Sequence, residues 1–96
     1  MTKKYTVRIP PDVETSIRHL HPQIKSKIRR ALEAIEKNPH LGKPLRKPLA
    51  GLHTYRTSQY RIVYEVKQCE LRIEIIDIAE RKIIYQRVAK ILGRFH

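Results

Sequence analysis

The stretch TYRTSQYRIVYEV, residues 54–66, decides the fold because it predicts a β-hairpin, two strands joined by a tight turn. Side chains alternate between the two faces of a strand. One face of the second strand is therefore apolar and aromatic, with Tyr60, Ile62, Tyr64 and Val66. Arg61 stands on the other face, in the middle of the strand, and Arg56 precedes it by five residues. An arginine at such a position is either a solvated surface charge or part of a site.

The chain before the hairpin predicts one strand and two helices. Residues 3–9 alternate apolar and polar side chains, which is the period of a half-buried strand. Pro10-Pro11 ends that strand and can begin a helix, because proline at the first helical position loses no needed hydrogen bond. The clearest helix is 22–38, whose apolar stripe comprises Ile24, Ile28, Ala31, Leu32 and Ile35. The two helices meet at residues 20–22 and predict a helical hairpin.

The chain after the second helix predicts a loop, three strands and a last helix. Residues 39–52 hold three prolines and two glycines, which favour a loop or an irregular edge. Strands are predicted at 53–58, 60–67 and 70–78, and helical spacing returns over 80–95. The order β-α-α-β-β-β-α, within one domain of residues 1–96, predicts an α+β fold. We expect a small mixed or antiparallel sheet with helices packed on one face, the helical hairpin among them.

The charge balance predicts a polyanionic or acidic partner. The 96 residues hold 21 Lys and Arg against 9 Asp and Glu, a formal net charge of +12 at pH 7. The chain carries no acidic residue between Glu36 and Glu65, and none after Glu80, so one side of the molecule is predicted to be basic. Such an imbalance costs self-repulsion unless the protein meets nucleic acid or an acidic protein.

Composition also indicates the cellular compartment. The single cysteine, Cys69, cannot form an internal disulfide, which fits a reducing cytosol and predicts a cytoplasmic protein. No apolar run approaches the roughly 18–20 residues that span a bilayer, so we expect no membrane association. The basic start of the chain alternates instead of forming an apolar segment, so we expect no signal peptide.

Arginine and tyrosine are the side chains left to carry chemistry. The sequence has no glycine-rich phosphate or dinucleotide loop and no cysteine–histidine spacing for zinc, so we expect no metal and no cofactor. Arg56, Arg61 and Arg81 each stand on or beside a predicted strand. Tyr85 follows Arg81 by four residues, so the two share a face if the last helix has begun.

These residues and their spacing resemble the RelE/ParE toxin superfamily of bacterial and archaeal toxin–antitoxin pairs. The resemblance lies in PLAGLHTYRTSQYRIVYEV, residues 48–66, and IIDIAERKIIY, residues 75–85, and it extends over nearly the whole chain. It implies a RelE-like fold and a ribosome-dependent mRNA endonuclease that inhibits translation without a metal. It also implies three partners: the ribosome, mRNA and a cognate RelB-like antitoxin, which should be acidic because the toxin is cationic.

The resemblance also assigns site residues. It places the catalytic residues of the family at Arg61, Arg81 and Tyr85. It implies that substrate phosphates are bound by Lys43, Arg46, Lys47 and Arg56. Glu80 stands where many relatives have a histidine, and is a possible acid–base group. The lysine-rich strand of the best-known RelE is shortened here to YRTS.

Simpler roles compete at each of these positions. Arg61 is alternatively a surface charge of the sheet paired with Glu74 or Glu65, and Arg81 a helix-start charge paired with Asp77. Tyr85 is alternatively a tyrosine at the rim of the core. For the whole protein, the alternatives are a ParE-like inhibitor of DNA gyrase without chemistry of its own, and a catalytically weak relative that only binds nucleic acid.

Overall fold

The structure, a computed structural model, describes residues 4–93. Its elements follow the predicted order, with one short extra strand inside the loop predicted at 39–52. In chain order they are β1 (Thr6–Arg8), α1 (Pro11–Arg18), α2 (Pro22–Lys37), β2 (Lys43–Pro44), β3 (His53–Thr57), β4 (Tyr60–Lys67), β5 (Arg72–Glu80) and α3 (Arg81–Leu92). None of these helices, in the described part of the chain, is long and apolar enough to cross a membrane. Residue 3 of the predicted first strand and residues 94–95 of the predicted last helix lie outside the described residues.

The five strands form one mixed sheet in the order β1-β5-β4-β3-β2. Strand β1 runs parallel to β5, and the other neighbours are antiparallel. The predicted mixed sheet is thus confirmed. The β3–β4 hairpin lies where the sequence predicts it, with Thr57 opposite Tyr60 across the turn.

The last strand differs from its predicted limits. The sequence predicts 70–78, whereas β5 runs Arg72–Glu80. A turn of 3-10 helix at Gln68–Glu70 occupies the predicted start, and Leu71 follows it in the left-handed conformation, with φ 50°. At its other end, β5 is followed directly by α3, without a loop between them.

The two faces of the sheet carry different helices. Ile62 and Tyr64 of β4 point into a core that they share with α1 and α2. Val63, between them, belongs to a second core with Ile84 and Val88 of α3. The prediction that helices pack on one face is therefore correct for the helical hairpin and wrong for α3. The physical reason is that Val63 of β4 and Ala79 of β5 are buried on the second face, where they pack with Ile84 and Val88 of α3.

The helical hairpin is closed by local hydrogen bonds and one ion pair. Proline stands in the first turn of each helix, and the ring of His21 caps α2 by accepting from the Gln23 N–H at 3.2 Å. Arg29 Nη2 of α2 lies 2.6 Å from Glu14 Oε1 of α1. The hydrogen bond and charge of Arg29 lower the pKa of Glu14, against a smaller opposing effect of burial.

Candidate functional site

An open cleft of about 340 Å³ lies where β3 turns into β4 and β5 ends. Its described lining residues are Arg56, Ser58, Gln59, Tyr60, Arg61, Glu80, Arg81 and Lys82. Four of these side chains are cationic and one is a carboxylate. The cleft therefore attracts anions, and of the predicted site residues it contains Arg56, Arg61, Glu80 and Arg81.

Strand register brings the first two arginines of the cleft together. Arg56 of β3 lies directly opposite Arg61 of β4, and Arg61 lies opposite Ala79 of β5. Residues opposite each other in an antiparallel pair point to the same face. Since Ala79 belongs to the core that α3 covers, both arginines are on the α3 side of the sheet.

The start of α3 adds the third arginine. Arg81 is the first residue of α3, and its backbone N–H donates to the Gln59 carbonyl in the β3–β4 turn at 3.2 Å. Ser58 in the same turn has a positive φ of 58°, which a non-glycine residue adopts at some cost. The turn thus holds the helix start, and with it Arg81, at a fixed place relative to Arg61.

The cleft arginines have no carboxylate partners. Within residues 4–93, no ion pair involves Arg56, Arg61 or Arg81. The Nε–H of Arg61 is buried, and no acceptor of the described chain meets it. A guanidinium in this state keeps its donors for a ligand.

The surface-charge alternative for Arg61 is wrong in its pairing, because no described ion pair joins Arg61 to Glu74 or Glu65. Glu74 pairs with Arg72 at 2.7 Å and with Arg8 at 3.8 Å. Glu74 lies opposite Glu65, toward the far end of the β4–β5 pair.

The alternative for Arg81 is wrong as well, because Asp77 pairs with Arg87 of α3 at 2.8 Å. Asp77 is buried beneath α3, and its Oδ1 also accepts from the Ile78 N–H at 2.9 Å. Burial raises the pKa of Asp77, and the hydrogen bond from Ile78 and the charge of Arg87 partly oppose that rise.

Glu80 is the one carboxylate among the described lining residues of the cleft. It occupies the N-cap position of α3, yet its side chain makes no capping hydrogen bond. It also forms no ion pair with the described cations around it. Glu80 is exposed, so its oxygens are open to a ligand.

Tyr85 lies one helical turn beyond Arg81, outside the cleft lining. Its ring packs against the second core, as the core-rim alternative predicts, and its hydroxyl lies 3.5 Å from Thr54 Oγ1. Thr54 shares a strand face with Arg56, two residues away, about 7 Å along β3. The Tyr85 hydroxyl and the cleft therefore lie on the same face of the sheet, at neighbouring positions along β3.

The basic residues before β3 lie in β2 and in the loop that follows it. Lys43 of β2 is opposite Thr54, which places it next to the Tyr85 hydroxyl. Arg46 and Lys47 are exposed in the loop between β2 and β3, which is anchored by the buried Leu49 and Leu52. None of the three basic residues lines the cleft.

None of the histidines within residues 4–93 lines the cleft. His53 stacks on Tyr64, with ring centroids 5.5 Å apart, and His40 meets it edge-on. Burial, and then the charge of His40, lower the pKa of His53. In the described part of the chain, no three His, Cys, Asp or Glu side chains come close enough to hold a metal ion.

Sequence reasoning missed Ser58, Gln59, Tyr60 and Lys82 as residues of the cleft. The signal for Ser58 and Gln59 was their place in the turn between two predicted strands, because a turn lies at the end of a sheet. The signal for Lys82 was its position next to Arg81. Neither signal distinguishes a cleft from an ordinary surface until the end of β5 is known.

The sequence matches a known family over most of its length. The model of the family described as "ParE toxin of type II toxin-antitoxin system, parDE" matches residues 7–85. Toxin RelG of Mycobacterium tuberculosis (strain ATCC 25618 / H37Rv) is 31% identical over 85 residues, which cover 86% of this chain and 98% of that protein. Toxin RelE of the same strain is 52% identical over 50 residues, 51% of this chain and 52% of that toxin, so that match spans about half of either protein.

Solved structures share the fold. The toxin–antitoxin complex RelBE2 of Mycobacterium tuberculosis contains a chain with a TM-score of 0.72 and 29% identity, and the match covers 81% of this chain and 99% of that one. E. coli toxin RelE in the free state has a TM-score of 0.72 at 16% identity, with 97% of this chain and 99% of that one covered, which shows the fold alone. The helices, the five-stranded mixed sheet and the basic cleft together define a RelE-like α+β toxin fold.

The chain belongs to the ParE toxin family of type II toxin–antitoxin systems, within the RelE/ParE superfamily. The resemblance stated from the sequence is thereby confirmed.

Proposed function

We propose that this protein is the toxin of a type II toxin–antitoxin pair and acts as a ribosome-dependent mRNA endonuclease. The observation that supports this most strongly is the presence of Arg56, Arg61 and Arg81 in one cleft without carboxylate partners in the described chain. Such cations repel one another unless an anion lies between them. The planar fork of arginine suits RNA phosphate oxygens.

RNA cleavage by its own 2′-hydroxyl requires three groups. A base takes the 2′ proton, cations stabilise the charge that develops on the phosphate oxygens, and an acid protonates the leaving 5′-oxygen. The 2′-oxygen forms a bond to phosphorus as the bond to the 5′-oxygen breaks, which leaves a 2′,3′-cyclic phosphate and a 5′-hydroxyl. Arg61 and Arg81 perform the charge stabilisation, because they stay protonated and their position is fixed before the substrate binds.

Glu80 and Tyr85 share the proton transfers in this mechanism. A carboxylate is ionised at neutral pH and a tyrosine hydroxyl is almost entirely protonated. Glu80 lines the cleft beside both arginines, so we assign it the 2′ proton. Tyr85 Oη lies near Thr54 on the same sheet face, so we assign it the proton delivered to the leaving oxygen.

Basic residues around this centre hold the substrate strand. Arg56 lies inside the cleft, while Lys43, Arg46 and Lys47 extend the positive surface past Tyr85. Phosphate contacts of this kind position a strand without reading its sequence. Since the site has no strong base, orientation of the mRNA must supply much of the acceleration, and a ribosome that fixes the message would provide it.

A cognate acidic antitoxin is the second partner in this proposal. Solved relatives include complexes of such toxins with RelB-type antitoxins, among them the RelBE2 complex and an archaeal RelE–RelB complex from Pyrococcus horikoshii. An acidic segment laid over the cleft neutralises the same arginines that bind RNA. We therefore expect antitoxin and RNA to compete.

The test is cleavage of a reporter mRNA in a translating extract, with its new 5′ ends mapped. We expect codon-phased cuts from the wild-type protein. Arg61→Ala and Arg81→Ala should each slow cleavage about 100- to 1,000-fold, the usual effect of removing a group that stabilises transition-state charge. Glu80→Gln and Tyr85→Phe should slow it as well, because each removes one proton transfer.

Arg18→Ala is the matched control, since Arg18 is 70% exposed on α1, outside the cleft lining. It should cleave like the wild type. Full activity of both Arg61→Ala and Arg81→Ala, with the fold intact, would defeat the assignment.

Inhibition of DNA gyrase is the second candidate, because the matching family is named for ParE toxins. A supercoiling assay with purified gyrase separates the two functions. Loss of supercoiling beside an intact reporter mRNA would select the gyrase inhibitor. Intact mRNA and normal supercoiling would select a relative that only binds nucleic acid.

A further inference from the structure

A second basic groove lies on the opposite side of β3 from the cleft. One hollow, of about 210 Å³, is lined by Lys27, Arg30, Ala31, Tyr55 and Thr57. A second hollow shares Lys27 and Arg30 and continues along α2 to Pro22, Gln23 and Ser26. We call the two together the α2 groove. Its described lining residues include two cations and no carboxylate.

One strand separates the α2 groove from the cleft. Successive side chains of a strand point to opposite faces, so Tyr55 and Thr57 enter the α2 groove while Arg56 between them enters the cleft. Strand β2 pairs only with His53 and Thr54. No other strand of the described chain flanks the remainder of β3 on that side, so a bound chain can pass around this edge.

Ion pairing divides the arginines of the described chain into two groups. Those that pair with carboxylates are Arg8, Arg18, Arg29, Arg72 and Arg87. Those that form no ion pair with described residues are Arg30, Arg46, Arg56, Arg61 and Arg81. Adjacent residues of α2 show the contrast, because Arg29 pairs with Glu14 at 2.6 Å whereas Arg30 reaches only Ser26 Oγ, at 3.4 Å.

We propose that the α2 groove is a second binding site for single-stranded RNA and holds nucleotides that flank the segment in the cleft. The inference rests on the proposed function, since it takes RNA as the occupant of the cleft. Lys27 and Arg30 contact the phosphates, and the half-buried Tyr55 ring offers a surface on which a base stacks. RNA is favoured over an acidic peptide because Arg56, between Tyr55 and Thr57 on β3, lines the cleft, so one RNA strand held there can reach the groove around the β3 edge.

The test compares two fluorescent, fully 2′-O-methylated oligonucleotides, which cannot be cleaved by this route. One has about four nucleotides and fits the cleft, and the other has about twelve and reaches the α2 groove. Lys27→Ala/Arg30→Ala should weaken binding of the longer oligonucleotide roughly 10- to 30-fold near 0.1 M salt. Its salt slope should fall by about 1.4, or 0.7 for each lost phosphate contact on a single strand. Binding of the shorter oligonucleotide should not change.

The matched control is Lys67→Ala/Lys90→Ala, which removes the same charge elsewhere. Lys67 lies at the far end of β4, opposite Arg72, and Lys90 is exposed on α3. This variant should bind both oligonucleotides like the wild type. Equal circular dichroism spectra and thermal midpoints would show that both variants are folded.

Three results would overturn the proposal. In the first, the groove variant binds the longer oligonucleotide as tightly as the wild type. In the second, it loses both oligonucleotides equally. In the third, it loses only the cognate acidic antitoxin, which would make the groove a protein-binding surface. Failure of the nuclease proposal is a separate outcome, because the binding assay needs neither cleavage nor ribosomes.

Discussion

Gly42 occupies a position where a side chain has no room. A Cβ added there would lie 2.7 Å from Tyr64 Oη and 2.8 Å from the Thr54 carbonyl oxygen. The Tyr64 hydroxyl is fixed as well, because it donates to the Pro39 carbonyl at 2.8 Å and accepts from the Gly42 N–H at 2.9 Å. We expect Gly42→Ala to lower the free energy of unfolding by about 1–3 kcal/mol, measured by urea denaturation.

Tyr64→Phe provides the control for this prediction. It removes one of the two atoms that a Cβ at residue 42 would meet. Gly42→Ala should therefore lower the free energy of unfolding less in the Tyr64→Phe protein than in the wild type. Part of the loss of unfolding free energy should remain, because the Thr54 carbonyl is still in place. Equal unfolding free energies for Gly42→Ala and the wild type would contradict the prediction.

The Asp77–Arg87 pair predicts a pH dependence of stability. Burial already raises the pKa of Asp77, and Arg87 opposes that rise, so Arg87→Met should raise the pKa further. A raised pKa means that stability is lost as pH rises through the folded-state value. We therefore expect Arg87→Met to be about 1–3 kcal/mol less stable than the wild type at pH 7. The deficit should shrink as pH falls through the raised pKa values of Asp77, below which the carboxyl is protonated in both proteins.

The double variant Asp77→Asn/Arg87→Met isolates the carboxylate in this effect. It has no ionisable group at residue 77, so its stability relative to Asp77→Asn alone should lose the pH dependence that Arg87→Met shows relative to the wild type. Urea denaturation at several pH values between 3 and 8 measures the free energies of unfolding of the single and double variants. A deficit of constant size across that range would show that Arg87 acts through packing alone.

At the level of single residues, the sequence predicted the arginines that line the cleft better than it predicted their neighbours. Arg61 was identifiable because a charge interrupts an alternating apolar strand, and that pattern needs no tertiary information. The position of Tyr85 could not be identified from the sequence. Its hydroxyl lies beside Thr54, and that contact depends on how α3 crosses the sheet. The pairing of Asp77 with Arg87 depends on the same crossing.

At the level of elements, the ion pair between α1 and α2 predicts a second pH effect. Arg29 lowers the pKa of Glu14, so this contribution is present above about pH 4.3, the usual range of a glutamate. It is lost as pH falls through the lowered pKa. Glu14→Gln should therefore cost no more than about 1 kcal/mol at pH 7, since the pair is partly exposed. The loss should disappear near pH 2.

The matched control for the hairpin is Glu33→Gln, because Glu33 is an exposed residue of α2 in no described ion pair. Thermal unfolding at pH 7 and pH 2 should distinguish Glu14→Gln from the wild type only at pH 7. It should not distinguish Glu33→Gln at either pH. A Glu14→Gln variant as stable as the wild type at pH 7 would show that the pair contributes nothing measurable.

The sequence predicted the helical hairpin and the β3–β4 hairpin because short-range signals specify both. Proline, helical periodicity and a tight turn act over a few residues. The face on which α3 packs was not predictable in this way, because it depends on buried contacts of Val63 with α3. These contacts join residues that are far apart along the chain, and no short-range signal specifies them.

At the level of the whole molecule, the net charge of +12 makes folding sensitive to salt. Like charges held close together in the compact state repel, and salt screens that repulsion. The described ion pairs are also screened, but most Lys and Arg side chains within residues 4–93 form no ion pair that salt could weaken. We expect the thermal midpoint to rise as NaCl increases from about 0.02 to 0.5 M, a range in which the Debye length falls several-fold.

A charge-reduced variant tests the cause of this rise. Lys67→Glu/Lys90→Glu lowers the formal net charge by four, from +12 to +8, without touching the cleft or the α2 groove. If repulsion between like charges is responsible, the thermal midpoint of this variant should exceed that of the wild type at low salt and rise less with NaCl. A salt response of the same size in both proteins would place its cause in anion binding at the cleft, because the cleft arginines are unchanged.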